Sequence, residues 1–144
     1  SRQLGNLMNI VLAIAALAVS VFTAFGFYKA GSFKAKANKE TLLAAGFGWV
    51  NKIPFGLVKV IAWLEILGAI GVVVAPIGAY VTGFAWSQLV GIAAGAGLAL
   101  TMVVAFIMHV ARGEAKYTWK NNLGLFASAA VATVLQALVT LPLF

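Results

Sequence analysis

Residues 66–111 read ILGAIGVVVAPIGAYVTGFAWSQLVGIAAGAGLALTMVVAFIMHVA, 46 consecutive positions between Glu65 and Arg112 without a Lys, Arg, Asp or Glu. A helix that crosses the hydrocarbon core of a bilayer needs about 20 predominantly apolar residues at about 1.5 Å of rise each. The interval is too long for one such helix and has the length for two joined by a turn. Pro76-Ile77-Gly78 predicts that turn, because it joins a residue without an N–H to one that tolerates positive φ.

Working outward, residues 4–28 form a second charge-free run, and residues 121–144 a third after Lys120. The expectation is an all-α, polytopic membrane protein: one transmembrane domain over residues 1–144, a four-transmembrane-helix bundle with spans near 7–28, 57–75, 84–108 and 121–141 and an interfacial loop after the first span. Composition agrees. The chain is 63% hydrophobic and 9% charged, against about 45–50% and about 25% in a soluble domain. A soluble globular enzyme and a disordered chain are both excluded, since neither tolerates so little polar surface. Cysteine is absent, which removes disulfides, thiolate nucleophiles and cysteine-held metal or iron–sulfur sites. The first run is longer than the apolar core of a cleaved signal peptide and ends in Phe25-Gly26-Phe27-Tyr28 without a small-residue cleavage pattern, so it reads as a retained span.

The net charge of +7 is distributed unevenly. Lys29, Lys34, Lys36, Lys39 and Lys52 follow the first span, Lys59 begins the second, and Arg112, Lys116 and Lys120 follow the third. Alternating topology puts these nine cations on one side and leaves Arg2 on the other. The positive-inside rule then makes loops 29–56 and 109–120 cytoplasmic, as in a bacterial-type plasma membrane. The charge is thus an orientation signal with anionic lipid headgroups as its partners, and it does not call for nucleic acid.

Hydrophobicity inserts helices but does not bind them to one another, so association needs close backbone approach. Gly68 and Gly71 offer it in the second span, Gly91 and Gly95 in the third, followed by Gly97 and Thr101, and Gly124 and Ser128 in the fourth, continuing to Gln136. These faces build either a tight monomeric bundle or, through Gly91 and Gly95, a homo-oligomer. In the first loop, Leu43, Phe47 and Val50 recur at helical spacing behind Asn38, a suitable N-cap. That segment is a short helix in the membrane interface or a lid over the bundle mouth.

Glu65 is the informative polar residue. It lies about nine residues, or about 12 Å, into the second span, where a carboxylate is costly unless another group compensates it. Lys29 and Lys59 are the nearest cations by depth. Lys59 is six positions away and about 120° around the same helix, so a partner on another helix is expected. Glu65 is then either a polar tie between helices or part of a ligand or proton site. His109, the one histidine, can hydrogen-bond a carbonyl or quinone oxygen or serve as an interfacial structural residue. One histidine and three acids provide no bis-histidine haem site or di-metal cluster, so no metal is assigned. No nucleophile–base pair or nucleotide-binding loop is present.

Gly26-Phe27-Tyr28-Lys29, Trp63-Leu64-Glu65-Ile66-Leu67-Gly68-Ala69-Ile70-Gly71, Met108-His109-Val110-Ala111-Arg112-Gly113-Glu114 and Asn122-Leu123 occur in that order. Over about residues 22–140 the chain resembles the DoxX-like family of small four-helix membrane proteins. It departs in a longer Lys-rich first loop and a short, cation-free turn after the second span. The resemblance implies a membrane subunit linked to quinone-dependent sulfur oxidation, a membrane partner of a redox-defence enzyme, or an assembly helper. It also implies Lys29, Glu65 and His109 as a shared polar set near one end of the bundle. The leading expectation is an accessory or structural subunit of a larger redox or envelope complex, without catalytic activity of its own, binding a quinone or lipid near Glu65 between the second and third spans. It would have a protein partner or a second copy of itself and no covalent cofactor. The alternatives are a quinone-linked oxidoreductase subunit that relays protons through Glu65 or His109, and a small-solute permease.

Overall fold

A computed structural model describes residues 2–140; residue 141, where the fourth span is expected to end, lies outside them. Four long helices make the bundle: α1 (Arg2–Lys36), α3 (Phe55–Thr82), α4 (Trp86–Ala111) and α5 (Ala115–Thr140). A short helix, α2 (Lys39–Ala44), and a 3-10 turn (Gly48–Asn51) lie between α1 and α3. All four long helices are long and apolar enough to cross a membrane. Each packs chiefly on two neighbours, α1 on α3 and α5, α4 on α3 and α5, so the helices stand at the corners of a square.

The inward stripes follow a three–four alternation. On α3 the stripe runs through Val58, Ala62, Glu65, Ala69, Val72, Pro76 and Ala79, with Ile66 and Ala75 buried at its edge, and on α4 through Gln88, Gly91, Gly95, Leu98 and Met102. That repeat is the signature of helices meeting at shallow crossing angles. Phe27, Ala69, Val72, Leu98, Met102 and Ala129 fill the middle of the bundle with apolar side chains. Outward-facing positions are apolar too: Phe22, Leu64, Leu67, Val104 and Ile107 are all exposed, as lipid contact requires.

Three expectations about element ends need correction. The first span does not stop near Tyr28; α1 continues to Lys36 and, at about 52 Å, projects beyond the hydrocarbon. Pro76 lies inside α3, which ends at Thr82. The turn is made instead by Gly83, at φ 73°, whose N–H reaches back to the Ala79 carbonyl at 2.8 Å, the left-handed glycine cap of a helix C-terminus. A proline inside a membrane helix frees the carbonyl four residues earlier. Here that carbonyl, of Val72, accepts from Gln136 Nε2 of α5 at 2.9 Å, and the next-turn carbonyl of Ala75 accepts from Ser87 Oγ at 2.6 Å. Finally, α5 starts at Ala115 rather than near residue 121, which leaves Arg112-Gly113-Glu114 as the whole connection from α4.

The glycines divide. A Cβ on Gly68 would meet the Leu98 side chain at 2.7 Å, and one on Gly71 the Ala94 Cβ at 3.2 Å. Gly91 and Gly95 are buried against Gln136 and Thr133 of α5, so this pair is used within the subunit. Gly124 is exposed with nothing within 4 Å of a would-be Cβ; its expected packing role is not seen. Ser128 Oγ donates to the Leu125 carbonyl of its own helix at 3.0 Å rather than across an interface. Asn38 does cap α2, its side chain accepting from the Thr41 N–H at 2.7 Å. Leu42 and Val50 pack on Val58, and Gly48 lies against the Arg112 side chain, so the segment covers the end of the bundle.

Candidate functional site

Glu65 is 2% exposed, and its partner is Lys34 of α1, itself buried, whose Nζ donates to Oε1. The two helices can meet there because Gly31 precedes Lys34 by one turn. A Cβ at Gly31 would come to 2.8 Å of the Ala62 carbonyl oxygen and 3.1 Å of the Glu65 Cβ. Glu65 Oε2 has no hydrogen-bond partner among the described residues. Lys59, as its position on α3 predicts, does not reach Glu65. Its Nζ donates to the carbonyls of Lys34, Ala35 and Ala37 at 2.8, 2.8 and 2.6 Å, capping the C-terminus of α1, where orphan carbonyls and the negative end of the helix dipole favour a cation.

Lys29 is exposed. It lies five residues before Lys34, about 140° around α1, and belongs to another face. His109 also stands apart from Glu65: its Nδ1 is 2.7 Å from Glu114 Oε1. A carboxylate only accepts, so Nδ1 carries the hydrogen in that contact. Arg112 Nε donates to the same oxygen at 3.1 Å. The backbone beneath is a left-handed glycine closure, with Gly113 at φ 71°, its N–H on the Val110 carbonyl, and the Glu114 N–H on the His109 carbonyl.

The His109 contact first, and then Arg112, hold the Glu114 carboxyl below the usual carboxylate range. A depressed folded-state pKa stabilises above the unfolded value of about 4.3 and is lost as pH falls through the folded one. Amide exchange at residues 113–117, corrected for its intrinsic rate, should therefore accelerate between about pH 5 and pH 3. The same acceleration in Glu114→Gln would show that this carboxylate is not the cause.

The sizeable cavity is elsewhere. A groove of about 430 Å³ opens between α4 and α5, lined by Met102, Val103, Phe106, Trp119, Asn122, Leu123 and Phe126. Asn122 is buried at its floor, with Nδ2 donating to the Met102 carbonyl at 3.0 Å and lying 3.7 Å from Sδ. Trp119 is four residues from the start of α5, beneath the Lys120 ammonium at 5.7 Å. The sequence places the expected ligand site near Glu65, between α3 and α4. Glu65 is closed into the α1–α3 contact, and the groove lies one helix further round.

The family model of the DoxX-like family matches residues 11–132, that is 122 of 144 positions. The chain belongs to the DoxX-like family. No curated protein and no solved structure matches it. In this DoxX-like membrane protein, Lys29, Glu65 and His109 share one end of the bundle but form no joint site. The sequence alone does not mark Lys34, Asn122 or Gln136 as site residues. A signal for Lys34 existed: Ala16, Ser20, Thr23, Phe27 and Lys34, all buried, continue one helical stripe past Tyr28.

Proposed function

We propose that this DoxX-like protein is a non-catalytic accessory subunit that holds an amphiphile, with the apolar tail in the α4–α5 groove and the head at the basic end. The groove carries this reading. Its volume falls within the range of about 300–1,000 Å³ usual for small-molecule sites, and Asn122 is the one polar side chain inside it that is neither aromatic nor a thioether. The Asn122 amide hydrogens are directed to Met102, leaving an acceptor oxygen. A lipid tail needs no donor there, whereas a quinone has two carbonyl acceptors and the groove offers them one donor, the Trp119 indole N–H. A lipid is therefore favoured over a quinone. Lys29, Lys36, Lys39, Lys52, Lys116 and Lys120 are exposed at the same end and suit anionic headgroups on a cytoplasmic face. Gly97, exposed with open space beside it, leaves room on α4 for a neighbouring membrane helix.

The alternatives have less support. Glu65 and His109 are engaged with Lys34 and Glu114, and neither lines the groove, which does not favour proton relay to a bound quinone. The apolar middle layer interrupts the polar path a permease needs.

The test is native mass spectrometry of the protein isolated in mild detergent, with solvent extraction of the retained molecules. A lipid or quinone held one to one, and lost about tenfold in Leu123→Trp, corresponds to about 1.4 kcal/mol of binding at the groove. The extract identifies which of the two it is. A protein that retains neither, or that retains as much in Leu123→Trp, would sink the proposal.

A further inference from the structure

At the end of the bundle remote from the lysines, two carboxamides face inward, Gln88 of α4 and Gln136 of α5, each 1% exposed. A buried amide without partners is costly. Gln136 Nε2 is satisfied by Ser20 Oγ at 2.8 Å and the Val72 carbonyl at 2.9 Å, but Oε1 has no partner. No hydrogen bond among the described residues reaches the Gln88 side chain. Ser20 Oγ accepts from Gln136 and keeps its own hydrogen to donate.

These three side chains line one cavity, walled by Pro76 of α3 and Leu17 of α1, so that all four long helices contribute to it. Its volume, about 10 Å³ for the centre of a water-sized sphere, has room for a single water and nothing larger. The lining carries no charge, which does not fit an ion. A buried water requires two to four polar partners, and Gln88, Gln136 and Ser20 supply three.

We infer that this cavity is a binding site for one water molecule that bridges the Gln88 carboxamide, Gln136 Oε1 and the Ser20 hydroxyl, linking α4 to α5 and α1. The site is separate from the α4–α5 groove and stands whether or not that groove binds an amphiphile. The bridge gives Gln88 a reason to be buried on a helix whose other buried positions are Gly91, Gly95, Leu98 and Met102.

Two measurements decide it. A density map of the intact protein in lipid nanodiscs, at a resolution that shows ordered water, should contain a peak within about 2.7–3.2 Å of Gln136 Oε1 and the Gln88 side chain. A cavity without a peak, or a Gln88 carboxamide rotated directly onto Gln136, overturns the inference. Gln88→Leu then gives a result whose sign discriminates. If the water is bridged, the substitution strands Gln136 Oε1 and lowers the unfolding midpoint. If the site is dry, it removes an unsatisfied amide from the core and raises that midpoint.

Discussion

Lys34→Met is expected to lower folding stability by about 3–5 kcal/mol, the range found when one partner of a buried ion pair is removed. The reason is geometric. Gly31 brings the backbone of α1 against that of α3 at Ala62, and the next turn of α1 delivers Lys34 Nζ to Glu65 Oε1 in a setting where Glu65 is 2% exposed. With the ammonium gone, the carboxylate remains in the bundle and water cannot reach it. Restoring balance by removing the acid as well should reverse most of the loss: replacing a buried pair with apolar residues of similar volume is often neutral or stabilising. Chemical unfolding of Lys34→Met, Glu65→Leu and the double variant in one detergent measures all three. A Lys34→Met loss below about 1 kcal/mol, the size of an exposed pair, would mean that Glu65 is compensated by something else. A double variant no better than the single would mean that the pair does more than balance charge.

Gln136→Leu should cost about 1–3 kcal/mol, the penalty for leaving a buried acceptor unpaired. Pro76 has no N–H to offer the Val72 carbonyl, and the Gln136 amide takes that place while also holding Ser20 of α1. The dependence can be tested in reverse. Pro76→Ala restores the missing helical donor, so it should do less harm, or bring a gain, in the Gln136→Leu background than in the parent. Residues that share a partner typically couple by about 0.5–3 kcal/mol. Strict additivity of the two substitutions would show that Gln136 does not substitute for the proline's absent hydrogen bond.

Both predictions turn on residues whose partners lie on other helices. Four membrane helices, the end that gathers the cations, and the need of Glu65 for compensation on another helix follow from composition and spacing, because insertion into oil depends on hydropathy summed over about 20 residues at a time. Element ends were harder. Pro76-Ile77-Gly78 has the local chemistry of a turn, yet the helix continues because a glutamine 60 positions later in the sequence replaces the lost donor. Lys34 looked like loop because charge marked the boundary of the apolar run, although the buried stripe through Ser20, Thr23 and Phe27 extends to it.

The sequence alone determined that this protein lives in a bilayer as four helices, since the hydrophobic content of each segment is a sum over its own residues and needs no partner. Only the tertiary structure decided that Lys34 rather than Lys29 answers Glu65, that His109 turns to Glu114, and that the sizeable groove opens between α4 and α5. The first and last are contacts between helices, set by which faces the glycines allow to approach, and the second is set by the left-handed turn at Gly113; hydropathy has no term for either.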